Sequence, residues 1–515
     1  MSNYNNQQHE LIELKIRELQ ASNPTWEEVG LGRKIKSNKR TGELAIVLFV
    51  TKKITSNKLS SNNLFPESIT VNGVDDPIIT DVQVSPVNFR SLACYDLPVS
   101  GPDDSAWPEP IKSHRQKQRP LKGGISLGTF GPRGYDHPRY LSMAGGTLGG
   151  LAIDRDDNTV VGVTNNHVLA HAINGAENIS AITGPRGLTF WSILSTNETT
   201  PAEGETRYPV YQRNVNDEYT DSKSVLDTLK VGTVKRAYPF LGDNNKIDVS
   251  IFALDTTGDY ASDLFSRTES YKQHQMGASG VGGASDSTKK LDWATTSELN
   301  NLLTTDPPIF FAGRTSGPLG WPGSQPHGAV CTISVQAINS SGSVNFSYDN
   351  SYKQGHFTLG DKTHSLRDSN NPSIGNSLRN SPRFVDQIRF EASTTGGGAR
   401  GGDSGSFVCA LFNEGNVALS AWKVVGVLNS GESSNTFFKC GRIDHIAHYF
   451  NLSPYKGEDL DIGYKNVDIK VVNSRSDAVT AEIGGQMYWQ SGSTNDKHHR
   501  HNPARGRVVP NRNYL

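Results

Sequence analysis

Thr395-Gly-Gly-Gly-Ala-Arg-Gly-Gly-Asp-Ser-Gly-Ser406 is the stretch on which the reading of this chain turns. Its last five residues, Gly402-Asp403-Ser404-Gly405-Ser406, set one serine between glycines. Glycine lets a tight backbone aim amide N–H groups inward while leaving Ser404 Oγ exposed. Amide hydrolysis at neutral pH needs such a nucleophile, a base to take its proton, an acid to hold the base in one tautomer, and donors for the developing oxyanion. Two upstream segments offer the missing parts. Val163-Thr-Asn-Asn-His-Val-Leu169 is a β-type run that ends in polar residues and His167. Lys246-Ile-Asp-Val-Ser-Ile-Phe252 starts an apolar, alternating strand with Asp248, which puts a carboxylate where it can be buried beside a histidine. Asp243 and Asp255 flank it as alternatives, but only Asp248 stands at a strand start behind an isoleucine.

Other chemistries fit less well. His167 and His171 have the i, i+4 spacing of a metal pair, yet the glutamate that follows the first histidine in zinc proteases of that pattern is missing. No metal and no cofactor are predicted. An α/β-hydrolase would show Gly-x-Ser-x-Gly and the order Ser, Asp, His; Asp444 and His445 do follow Ser404, but the nucleophile motif differs and alternating βα units are absent.

Working outward, short apolar runs recur between glycine-rich turns at 124–128, 159–164, 247–254, 330–335, 406–411 and 424–428, the pattern of a sandwich or barrel. Polar excursions near 175–240 and 256–305 separate them. Ahead of this region, residues 7–21 carry a helical apolar stripe that stops at Asn23-Pro24, and strand signals follow at 42–50, 68–71 and 78–84. The expected organisation is an N-terminal α/β module over 1–96, a Pro-rich basic linker over 97–122, a catalytic domain over 123–455 and a C-terminal extension over 456–515. The tail of that extension, rich in Lys, Arg and His, reads as largely disordered.

Together the histidine, aspartate and serine segments resemble the chymotrypsin/trypsin-like serine protease family in residue type and chain order. Thr164-Asn-Asn-His-Val168 is especially similar to Deg-type proteases. With Ala144-Gly-Gly-Thr-Leu-Gly149, Gly313-Arg-Thr-Ser-Gly317 and the Gly42-Glu-Leu-Ala-Ile-Val47 module, the chain resembles the trypsin-like relatives of the plant Narrow leaf protein. The resemblance implies a mainly β fold of two six-stranded antiparallel β-barrels, about 123–255 and about 305–440, with the small N-terminal α/β module and a flexible C-terminal tail. It implies Ser404 as nucleophile, His167 as general base, Asp248 as orienting acid, and the Gly402 and Ser404 amides as the oxyanion hole. Substrate is expected along Asn429-Ser430-Gly431. Gly398 stands where trypsin carries its specificity acid, so an apolar or small residue is expected before the scissile bond, with Glu432 as the one acid near enough to alter that.

Two ideas about regulation follow. The glycine run suggests an oxyanion loop that orders only with substrate or partner. Asp403 suggests pairing with a new N-terminus if the linker is cut near Lys122. The alternative to a working enzyme is a catalytically silent, or self- or partner-restricted, protease-fold scaffold that acts through protein contacts.

Lys+Arg 51 against Asp+Glu 52 gives no cause to expect nucleic acid or an anionic membrane. The predicted partners are therefore a protein or peptide substrate and a further protein meeting the N-terminal module or the basic tail, with a homo-oligomer admitted and no membrane. The absence of a basic start followed by an apolar run, with four sparse cysteines in no CxxC spacing, leads to a cytoplasmic chain with free thiols.

Overall fold

The computed structural model describes residues 4–60, 64–92, 121, 123–129, 145–169, 180–183, 189–192, 209–212, 229–238, 244–254, 292–319, 331–345, 356–359, 362–365, 382–394, 397–412, 421–455, 470–471, 478–483, 486–491 and 509–510. Cys94, the basic linker apart from residue 121, His171, much of the two polar excursions and the cluster His498, His499 and His501 lie outside them. The chain divides into two compact units, Met1–Pro454 and Tyr455–Leu515.

The first unit begins with helix α1 (Asn6–Ser22). The Asn5 side chain accepts from the Gln8 N–H and the Gln8 side chain from the Asn5 N–H, both at 2.9 Å, so two otherwise unpaired donors at the helix start are satisfied. The helix stops at Asn23, one residue before Pro24, and buries Ile12 and Ile16. Strands β1 (Glu28–Lys36) and β2 (Lys39–Val50) form a hairpin across Ser37 and Asn38, whose φ values of 51° and 59° suit a type I′ turn. Short β3 (Ser68–Ile69) pairs with β4 (Ile78–Val84), which runs parallel to β2, and β5 (Phe89–Ser91) follows.

Next come β6 (Ser126–Thr129), β7 (Gly145–Thr147), β8 (Gly150–Asp154), β9 (Thr159–Thr164) and the single turn α2 (Asn166–Leu169). They are followed by β10 (Ser180–Thr183), β11 (Thr189–Ser192), β12 (Pro209–Tyr211), β13 (Lys230–Ala237) and β14 (Ser250–Leu254). Then β15 (Asp292–Trp293), helices α3 (Thr296–Asn300) and α4 (Leu302–Thr305), β16 (Ile309–Gly313), β17 (Gly317–Leu319) and the long β18 (Ile333–Asn345) lead to a separate hairpin of β19 (His356–Leu359) and β20 (Lys362–Ser365). The unit ends with β21 (Arg383–Ala392), β22 (Phe407–Phe412), β23 (Ala421–Gly431), β24 (Phe437–Arg442), α5 (Ile443–Phe450) and β25 (Leu452–Pro454).

The mainly β character holds, but the two closed six-stranded barrels expected from the resemblance do not form. The strands assemble into a 13-stranded mixed sheet, ordered β17-β16-β22-β23-β24-β21-β18-β1-β2-β4-β3 with β15 and β5 attached beside that path, and a 10-stranded sheet, ordered β25-β8-β9-β14-β13-β12-β6-β7 with β10 and β11 attached beside it. Neither sheet is a closed six-stranded barrel; the ring that closes in the larger one runs through β23, β24, β21, β18 and the short β5, which pairs with both β18 and β23. The cause lies in β18. One side pairs with β21 and the other is shared by β1, through Leu31↔Ile338 and Gly32↔Ala337, and by β5, through Val344↔Phe89, so the N-terminal hairpin is built into the sheet instead of standing as a separate module. A Cβ on Gly32 would meet Gln336 O at 3.0 Å, so glycine is what permits this approach.

Across that seam lies a buried cluster of charges. Glu28 on β1 pairs with Arg389 on β21 and, at 2.8 Å, with Lys439 on β24, and accepts from Ser340 Oγ on β18 at 2.8 Å. Burial raises the Glu28 pKa, but Arg389 and Lys439 outweigh it and hold the carboxyl below its ordinary value. Burial also pulls Lys439 down to about 8.

In the second unit, β26 (Lys470–Val471), β27 (Ala478–Ile483), β28 (Gln486–Ser491) and β29 (Val509–Pro510) make a four-stranded antiparallel sheet. Among the described residues, no helix is long and apolar enough to cross a membrane.

Glu28→Ala would leave Arg389 and Lys439 as uncompensated buried cations. The expected cost is about 3–5 kcal/mol in chemical denaturation, against no more than about 0.5 kcal/mol for the exposed Glu43→Ala.

Candidate active site

Strand β9 delivers the chain into α2, so His167 leaves the sheet next to the start of β14, where Asp248 stands. The two segments are tied directly, since Asn165 Nδ2 donates to the Asp248 carbonyl at 2.6 Å. The Asp248 carboxylate accepts the His167 backbone N–H at 3.2 Å through Oδ1 and the ring Nδ1–H through Oδ2. An ionised carboxylate only accepts, so the proton is on Nδ1 and Nε2 is left as an acceptor. Ser404 Oγ lies 2.8 Å from that Nε2. The three residues named from the sequence thus form one hydrogen-bonded chain, and all three are buried.

The Ser404 turn is held by Thr147 on β7. Its N–H donates to the Ser404 carbonyl at 2.7 Å and its hydroxyl to the Gly402 carbonyl at 2.8 Å, while its own carbonyl accepts from Thr164 Oγ1 at 2.7 Å. Thr164 closes β9, three residues before His167, so one threonine fixes the Ser404 turn against the histidine strand. Contact this close requires glycine. At Gly405 (φ 96°) a Cβ would lie 2.2 Å from Thr147 O, and at Gly146 it would lie 2.9 Å from Ser404 O.

Asp403 is fully buried and directs its carboxylate to the loop before β17. Its carboxylate accepts from the N–H groups of Thr315, Ser316 and Arg400 at 2.8–2.9 Å and from Ser316 Oγ at 2.5 Å. Burial nevertheless pushes its pKa up. With these donors in place, the turn is organised without a new N-terminus for Asp403 to bind. Gly402, at φ 98°, already turns its N–H toward a carbonyl, that of Leu92 just beyond β5. The Ser404 N–H has no hydrogen-bond partner among the described residues.

Asn429, Ser430 and Gly431 form the end of β23 beside this turn, and β5 pairs antiparallel with them, Ser91 opposite Ser430 and Arg90 opposite Gly431. Gly398 sits against β24: its N–H donates to Asn435 O at 2.6 Å, and a Cβ there would press on the Phe438 ring at 3.3 Å. Glu432 is tied into the turn after β23 by the N–H groups of Ser434 and Thr436, at 2.6 and 2.8 Å, and by the Ser434 hydroxyl.

Sequence reasoning passed over two positioning groups. Thr147 lies inside the quoted Ala144–Gly149 run, where its flanking glycines were the available signal. Gln387 on β21 had none: its Nε2 donates to the Lys246 carbonyl at 2.8 Å and its Oε1 accepts from Asn429 Nδ2 at 2.8 Å, joining the Asp248 segment to the β23 edge. Its neighbour Asp386 binds Arg442 at 3.2 Å, His445 at 2.6 Å and Lys246 at 3.9 Å.

No family model matches the chain, and no curated protein matches it. Among solved structures, it is similar to a glutamic-acid-specific serine protease described as using a novel histidine triad in substrate binding. The match covers 65% of this chain and 100% of that one, at 12% identity and a TM-score of 0.27. A likeness of that size carries no argument about chemistry, which is read from the residues themselves.

Burial alone would raise the Asp386 pKa, but Arg442, His445 and Lys246 overturn that and hold it well below the usual carboxylate range. A depressed folded-state pKa stabilises the fold above the unfolded value of about 3.9, and that contribution is lost as pH falls through the folded value. Asp386→Asn should therefore lower the melting temperature at pH 7. The gap to wild type should narrow as melts are repeated below about pH 4.

Proposed function

We propose that the protein is a serine endopeptidase, related to the trypsin-like peptidases that include the Deg-type enzymes and the Narrow leaf relatives. The observation that carries this reading is His167 bonded through opposite ring nitrogens to Asp248 and to Ser404. A satisfied structural histidine has no need of a serine hydroxyl held in a glycine turn on its free nitrogen.

In the proposed reaction His167 Nε2 takes the Ser404 proton as Oγ attacks the peptide carbonyl carbon. The amide groups of Gly402 and Ser404 stabilise the oxyanion, and the imidazolium gives its proton to the leaving nitrogen. Water then hydrolyses the acyl-enzyme. Asp248 stays ionised and holds the tautomer. Substrate would lie extended on Asn429, Ser430 and Gly431, adding a strand to β23. The residue before the scissile bond would be apolar, since Gly398 brings no charge and Glu432 is engaged by its own turn.

A fluorophosphonate probe should attach to Ser404 of the full chain, with the adduct located by peptide mass spectrometry. Ser404→Ala and His167→Ala should both remove it. Asp248→Asn should keep the fold and lower turnover by about four orders of magnitude. A purified chain that takes no label, both as wild type and with residues 89–92 displaced from the β23 edge by substitution, would sink the proposal.

A further inference from the structure

Residues 89–92 of the chain itself occupy the β23 edge. Arg90 faces Gly431, Ser91 faces Ser430, and the Leu92 N–H donates to the Asn429 carbonyl at 3.4 Å. The next group along, the Leu92 carbonyl, accepts the Gly402 N–H. That is one of the two N–H groups beside Ser404 proposed to face a developing oxyanion, so the Leu92 carbonyl already engages one of them, while the Ser404 N–H has no partner among the described residues.

The segment is held on several sides. The Leu92 side chain rests on Gly431, where an added Cβ would meet its Cδ2 at 3.0 Å, and it belongs to the apolar cluster that contains Ala399 and Phe438. Strand β5 is bonded on both edges, to β23 and, through Val344↔Phe89, to β18. Phe89 is buried among Val344 and Phe384, with Lys439 Nζ 3.9 Å and Arg389 Cζ 4.9 Å from its ring centroid. His167 and Ser404 have 0% exposed surface. An apolar residue at the attacked position is also the type that Gly398 leads one to expect.

We infer that the protein's own chain is a substrate of this site and is cut on the carboxyl side of Leu92, an inference that rests on the peptidase reading above. Ser404 Oγ bonds to the Leu92 carbonyl carbon and its proton passes to His167 Nε2. The C–N bond after Leu92 breaks as that proton moves to the leaving nitrogen. Water then releases Leu92 as a carboxylate and restores the serine. Residues 1–92 stay in the sheet after the cut because β1 remains paired with β18, so the new carboxylate keeps hold of the cleft until a competing peptide displaces it.

The test is denaturing mass spectrometry and N-terminal sequencing of the purified full chain. Wild type should yield residues 1–92 and a second fragment that begins Ala93-Cys94-Tyr95, while Ser404→Ala stays intact. Leu92→Met, which keeps the apolar contact, should still be cut. Leu92→Asp should lose the cut and take the fluorophosphonate label at Ser404 faster than wild type, because the segment no longer seats. A wild-type chain that stays intact yet labels at Ser404 overturns the inference and leaves the peptidase reading standing. A cut that persists in Ser404→Ala overturns it as well. No label on either wild type or Leu92→Asp removes both readings.

Discussion

A buried carboxylate shared by two buried cations holds this molecule's largest sheet together. Glu28 comes from the N-terminal hairpin, Arg389 and Lys439 from β21 and β24, the paired strands that stand before and after Ser404 in the chain, and the three meet with almost no exposed surface. Removing charges from water is costly, and the cost is recovered only where geometry and extra hydrogen bonds are good. Here Ser340 bonds the carboxylate, while Arg389 also bonds Gln336 and the Ser85-Pro86 backbone and side chain, and its guanidinium lies 4.2 Å from the Phe49 ring centroid. The same cations face Phe89, so the charge cluster that seals the sheet also places the segment leading to Leu92.

Around Ser404 the controlling constraint is steric. Thr147 can bond Gly402, Ser404 and Thr164 at once only because the positions beside it lack side chains, as the close approaches at Gly146 and Gly405 show. Polar groups that bridge in this way are stiff, since each lost partner strands another buried group. Asp403 illustrates the cost of burial from the other side: four hydrogen bonds do not suffice to bring its pKa down to the ordinary value.

These two constraints meet at the end of β23. One strand edge receives Gln387 from behind through Asn429 and the chain's own β5 in front, so the hydrogen-bonding groups that would bind an extended peptide are already engaged. On the peptidase reading, access to Ser404 would depend on whether residues 89–92 leave, and the packing of Phe89 opposes their leaving.

Much of the local structure was legible in order along the chain. The α1 stripe and its proline stop, the hairpin strand at 42–50, the mainly β character and the three segments that converge as Asp248, His167 and Ser404 all follow from periodicity and from glycine placed around polar side chains. Short-range patterns of this kind report which groups a segment must bury or free. What the sequence could not decide is which strand edges meet. The 13-stranded sheet in place of a six-stranded barrel, the bonds made by Thr147 and Gln387, and Leu92 beside Gly402 all depend on contacts between residues far apart in the chain. A strand's hydrogen-bonding edge carries no side-chain signature, because the backbone groups that pair are the same for every residue but proline.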